Sequence, residues 1–196
     1  VSLAERWPLE DHHDLRTELL AAWDRDGYHD QLHLTEVLDR LDLLSEQAAA
    51  FDRTTAALAA WFHDAVYDGD ADDEERSAQW AERALPTAYA EEVARLVRMT
   101  VHHRPADDDP AGCALSDADL AILAAPRERY DTYAAGVRAD FAHVSDSDFR
   151  AGRAAVLADL AAAPHLFHTP AARELWEEPA RANLARELEE LGREPG

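Results

Sequence analysis

The sequence contains no lysine: all 19 of its basic residues are arginine. A phosphate clamp must therefore be built from arginine, backbone N–H groups or a metal, and lysine Schiff-base chemistry is excluded. The single cysteine, Cys113, excludes an intramolecular disulfide and a thiolate zinc cluster, and fits a reducing compartment. No apolar run approaches the ~20 residues of a membrane-spanning helix, and residues 1–14 mix charges with apolar side chains and lack a signal-peptide core. A soluble, cytoplasmic chain without a membrane partner is expected. Positive charge is scarce as well: 41 acidic residues leave a formal charge of −22. That balance excludes a general nucleic-acid or anionic-membrane binder, since such proteins present cationic surfaces; the bland consequence of so acidic a surface is solubility.

Glycine is sparse, at 7 residues in 196, and alanine is abundant. Both favour helix over sheet, because alanine has the best helix propensity and glycine one of the worst. Nearly every segment scans with a helical period. Leu34, Val37, Leu38, Leu41 and Leu44 form one apolar stripe on a helix over about 29–47. Leu58, Phe62 and Val66 continue the pattern on a helix starting near Phe51, capped by Asp52 or Thr54. A third helix follows over about 73–85, its acidic start suited to the helix dipole. Pro86 separates it from a fourth, which carries Val93, Leu96, Val97 and Thr100. Residues 104–112 read as a loop, 117–124 and 127–141 as short helices, and 147–162 as a helix capped by Ser145 or Asp146. Pro164 and Pro170 mark an irregular connection, and Pro179 is expected in the first turn of the last helix. The chain reads as one all-α domain over 1–196, a core over about 28–141 with C-terminal helices over 146–192 packed on it. A homodimer is an expectation from size alone, with no sequence feature behind it.

Metal-ligand residue types interrupt these apolar faces. His33 stands four residues before Val37 at the border of its stripe. His63 and Asp64 interrupt the run from Ala59 to Val66, and Asp119 is followed at once by Leu120, Ala121, Ile122 and Leu123. A buried carboxylate is costly unless it is paired, hydrogen-bonded or bound to a metal, and a shared cation would satisfy all four residues together. Singly, each has an ordinary reading: a histidine hydrogen-bonded in a core, or Asp119 as a cap at the head of a helix.

The order of these residues, and the string from Trp61 through His63-Asp64 to Tyr67-Asp68, resemble the core of the HD superfamily of metal-dependent phosphohydrolases. The resemblance is closest to one bacterial branch. There a Tyr-His pair precedes the first ligand, as Tyr28-His29 precedes His33, and an acidic run follows the HD pair, as Asp72-Asp73-Glu74-Glu75-Arg76-Ser77-Ala78 does here. Thr100 with His103, the run from Asp117 to Leu120, Arg138 before Asp140-Phe141, and the run from Ala180 to Leu184 are similar too. The sequence departs from that branch at Asp73, where asparagine is usual, and at Asp140-Phe141, where Glu-Tyr is usual.

The resemblance implies an HD-domain helical bundle binding one divalent transition metal (Mn, Co, Fe, Ni or Zn) through His33, His63, Asp64 and Asp119. It implies a phosphohydrolase acting on a small phosphorylated metabolite, a nucleotide or related phosphomonoester, through a metal-activated water. Asp68 is the first candidate for acid/base work and Glu74 and Glu75 the next, with a solvated loop and dipole-favoured helix start as the ordinary reading of that acidic run. Tyr28, His103 and Arg138 are the candidate substrate-binding residues. His103 at a helix C-terminus is favoured by the dipole regardless of function, and Arg138 equally suits an ion pair with one of the many acids. His12, His13, His143, His165 and His168 read as surface or packing residues. Two other functions fit the pattern. A di-iron oxygenase needs further histidines between the HD pair and the last aspartate, where only His102 and His103 lie. A non-catalytic nucleotide sensor would be expected to have lost ligands.

Overall fold

Side chains of short polar residues fix where five of the nine helices among the described residues begin. Asp30 accepts the N–H groups of Leu32 and His33, Asp52 those of Thr54 and Thr55, and Asp109 that of Gly112; Ser145 and Thr169 accept from Asp148 and Ala172. Each satisfies donors that a helix start otherwise leaves open. The computed structural model describes residues 2–47 and 50–193, so the outermost parts of the expected 1–196 span lie outside the described residues. After a 3-10 turn at Leu3–Arg6 come α1 (His13–Ala22), α2 (Gln31–Glu46), α3 (Arg53–Phe62), α4 (Asp73–Ala84) and α5 (Thr87–Met99). There follow α6 (Pro110–Leu120), a 3-10 turn at Ala121–Ala124, α7 (Arg127–Asp140), α8 (Asp146–Ala162) and α9 (Pro170–Gly192). The described residues contain no strand, and the protein is all-α. No described helix is long and apolar enough to cross a membrane.

The centre is α3, whose Thr55, Ala56 and Leu58–Phe62 are all buried. A helix apolar on every side belongs inside a protein, and α2, α4, α5 and α6 all pack against this one. At its C-terminal end the chain turns, and there His63 and Asp64 follow Phe62. The 3-10 turn after α6 packs on α9, and α8 packs on α9 in turn.

Three helix assignments differ from the sequence reading. The first is α3, which ends at Phe62, so Val66, expected on it, lies beyond the helix in the turn that follows. Pro110 stands in the first turn of α6, which its Asp109 cap starts, so residues 110–112 are helical and Asp119 lies at the helix's C-terminal end, where it caps nothing. Pro179 is not in a first turn either: Pro170 takes that place behind the Thr169 cap, and Pro179 stands inside α9. The carbonyl it leaves without a helical donor belongs to Leu175, on an exposed face of the helix open to solvent.

Candidate metal centre

Two imidazoles meet between α2 and the end of α3. His33, fully buried on α2, places Nε2 3.2 Å from Nε2 of His63. Nδ1–H of His63 donates to the Ala60 carbonyl at 2.8 Å, a bond that leaves Nε2 of the neutral ring with its lone pair toward the cluster. Asp64 Oδ2 lies 3.1 Å from His63 Nε2 and 3.7 Å from His33 Nε2. Asp119 Oδ1, arriving from the end of α6, lies 3.2 Å from His33 Nε2 and 3.7 Å from His63 Nε2. The indole of Trp23 backs both imidazoles, with ring centres 5.9 and 5.4 Å away.

Electrostatics at this point call for a cation. The donor atoms of His33, His63 and Asp64 all lie within 4.8 Å of one another and could hold a metal ion. Ligand atoms about 2.1 Å from one ion stand roughly 3.0–3.4 Å apart, close to the separations found. Burial pushes the pKa of His63 down, but Asp64 and Asp119 outweigh it and hold the value well above the ordinary one. Asp64 and Asp119 are driven low against the cost of burial, chiefly by the charge of His63. His33 is pushed down by burial, and its Nδ1 is buried without a partner. Without a metal, a proton on His63 is the positive charge that these carboxylates require.

Residues around the cluster divide into those that face it and those that do not. His103 Nε2 is 3.5 Å from Asp119 Oδ2, with Nδ1 3.2 Å from Ser116 Oγ. Its backbone is left-handed, at φ 49°, a conformation uncommon outside glycine and held here by its surroundings. Tyr28 packs its ring 4.6 Å from that of His33, and its hydroxyl is buried without a partner. Glu74 is half-buried; burial, and then the charges of Asp64 and Asp73, raise its pKa although its own N–H opposes them. Asp68 is instead exposed and paired with Arg76 at 2.7 Å. Glu75 is bound by Arg98 at 2.6 and 2.8 Å, which with Gln79 holds its pKa at about 2. Arg138, expected on a substrate phosphate, donates to the carbonyls of Phe141 and Val144 and to Asp146. Those contacts close the C-terminal end of α7.

Asp68, Asp70 and Asp73 form a second acidic group, but two of its carboxylates are already engaged, Asp68 by Arg76 at 2.7 Å and Asp73 by the loop itself. Asp73 Oδ2 accepts the N–H groups of Asp68, Gly69 and Asp70 at 2.8, 2.8 and 3.0 Å, and Oδ1 takes Arg76 at 3.1 Å. That explains an aspartate at this position: acceptors suffice to fold the loop, and no amide donor is used.

Sequence reasoning missed three participants. His29 places Nε2 3.9 Å from Asp64 Oδ2, stacks on Tyr67 with ring centres 3.9 Å apart, and holds Asp140 Oδ2 through Nδ1 at 2.8 Å. Asp140 also accepts the Tyr28 N–H. It comes so close to Gly27 (φ 106°) that a Cβ there would stand 1.7 Å from Oδ1, so only glycine fits. The position of His29, four residues before His33 and just ahead of the same helix, was the available signal; its pairing with Asp140, 111 residues away, left none. Arg25, over the Trp23 and Tyr67 rings, donates to the Asp64 carbonyl and fixes the turn. His165 and His168, read as surface or packing residues, line the same cleft as Asp119. Comparison with protein-family models, with characterised proteins and with solved structures returned no match.

Proposed function

We propose that the protein is a divalent-metal-dependent phosphohydrolase acting on a small phosphomonoester, with His33, His63, Asp64 and Asp119 as metal ligands. The observation that carries the reading is the meeting of two buried Nε2 atoms with two carboxylates at 3.1–3.7 Å. This mixed N/O set suits Mn, Fe, Co, Ni or Zn. When bound, such an ion supplies Lewis-acid polarisation of a phosphoryl oxygen and a water made acidic near neutral pH.

The protein's own groups supply the rest. His29, with Nδ1–H donated to Asp140, is held with Nε2 beside Asp64, positioned to carry a proton to the leaving oxygen. Glu74, raised by burial, is a better acid/base candidate than Asp68 or Glu75, whose carboxylates are bound to arginines. His103 and Tyr28 line the same cleft, where the imidazole of His103 offers a hydrogen-bond donor. Trp23 and the apolar surroundings of His33 keep bulk water from the back of the site.

The test is metal analysis of the purified protein together with phosphate release from a panel of phosphomonoesters. Metal retained, with hydrolysis lost in both His63→Ala and Asp64→Ala, supports the assignment; a metal-loaded protein that releases no phosphate contradicts it. One observation favours a second reading. His29 and His103 reach the outer edges of Asp64 and Asp119, at 3.9 and 3.5 Å, and would give a second ion imidazole ligands. Two irons per chain without phosphate release would make the protein a di-iron oxygenase.

A further inference from the structure

A cleft of about 1120 Å³ opens beside the cluster, and Tyr28, His29, His103 and Asp119 form part of its lining. Its size is that of a small-molecule site. One wall is a face of α8: Phe149, Gly152, Val156 and Leu160 line it at helical spacing. Facing residues Leu120, Ile122, Val137 and Phe141 continue the apolar surface. Val156 is 54% exposed and Val101, also in the lining, 46%, so two of the markedly exposed apolar side chains among the described residues lie on this cleft.

Gly152 gives an independent indication. It stands inside the 17-residue helix α8, and a Cβ built there meets nothing within 4 Å. Glycine is among the poorest residues for a helix interior, and no contact within the protein calls for its small size. Space kept open on the wall of a cleft beside a metal cluster is space for an occupant.

Charge narrows what that occupant is. Of the two arginines in the lining, Arg153 is committed to Glu187 at 2.8 Å and to the Tyr133 hydroxyl at 2.9 Å, leaving Arg104. Asp148 and Asp159 flank the apolar face of α8. A second phosphate along this wall would meet two carboxylates and no available arginine on α8, and the polar edges of a base would meet Phe149, Val156 and Leu160. From Phe149 to Leu160 the helix runs about 16 Å, the length of a medium alkyl chain.

We propose that the cleft selects phosphomonoesters of apolar alcohols, with the single anionic head at the metal cluster and an alkyl-like body along α8. This deepens the phosphohydrolase reading and rests on it. The test titrates the manganese(II)-loaded protein by calorimetry with ethyl-, butyl-, hexyl- and octylphosphonate and with adenosine monophosphate, and assays octyl phosphate for phosphate release. Affinity is expected to rise by up to about fourfold per methylene and at least a hundredfold from ethyl to octyl, with the nucleotide weaker than octyl. Gly152→Leu, which puts a better helix former into α8 and should melt no lower, is expected to weaken octylphosphonate at least tenfold and ethylphosphonate less than twofold. Equal affinity across the series, a nucleotide that binds more tightly than octylphosphonate, or an unchanged Gly152→Leu profile overturns the proposal. Nucleotide hydrolysis with no dependence on chain length would overturn it while leaving the phosphohydrolase standing. Chain-length dependence with no phosphate released would uphold the cleft's preference and remove the hydrolase.

Discussion

Among the described residues, the cluster around Glu187 and the cluster around His63 are linked through the packed rings of His33, Tyr28 and Tyr133, and they are built on opposite plans. In one, Glu187 accepts from Tyr130 at 2.5 Å and from Arg153 at 2.8 Å, and Arg153 also donates to Tyr133 at 2.9 Å. One cation meets one anion, and their donors and acceptors match. In the other, two carboxylates face two imidazole nitrogens, His33 Nδ1 has no partner, and only a proton on His63 relieves the excess of acceptors. A matched cluster holds helices together; an acceptor-rich one could hold a metal ion. Burial alone does not distinguish the two clusters, whereas the balance of donors and acceptors does.

The largest expected difference between the clusters is in metal affinity. His63→Ala should lower it by more than the roughly 10–100-fold that changes behind a ligand cost, while leaving the metal-free fold stable; equilibrium dialysis and thermal melting measure the two. Glu187→Ala should do the reverse. It strands Arg153 in the interior and should cost about 3–5 kcal/mol of stability with metal stoichiometry unchanged, as read by denaturant melts and elemental analysis. If Glu187→Ala emptied the metal site, the two clusters would not be independent.

Smaller effects sharpen the role of the surrounding groups. Asp140→Asn should lower hydrolysis about 10–100-fold without releasing metal, because it frees His29 and not a ligand. Metal loss in that variant would make Asp140 part of the ion's support. Last comes pH. Asp64 and Asp119 hold the pKa of His63 well above its ordinary value despite its burial, so a metal binding there would displace a proton. Affinity should climb by up to about tenfold per pH unit until the pH passes the raised pKa of His63, and then level off. Calorimetry in buffers of different ionisation enthalpy counts the proton released.

Helices were legible where their signals were local. Asp52 and Ser145 cap where their residue types suggested, and the stripe from Leu34 to Leu44 is buried as its period required. Asp119 and Pro179 were misplaced because Pro110 and Pro170, each behind its own cap, start α6 and α9 earlier than expected. Polar residues interrupting apolar faces drew attention to His33, His63, Asp64 and Asp119. The pairing of His29 with Asp140 depends on α7 returning to the start of α2, a tertiary contact that no local pattern encodes. Arg138 had two readings from the sequence, a substrate contact and an ion pair with a nearby acid, and it is engaged locally: it pairs with Asp146, donates to the Phe141 and Val144 carbonyls and lies over the Phe149 ring.

Elemental analysis of the protein purified without added metal tests the central claim most directly. About one divalent transition metal per chain, lost in both His63→Ala and Asp64→Ala, is the predicted result. A protein that holds no metal even after reconstitution with Mn, Co, Fe or Zn would contradict it.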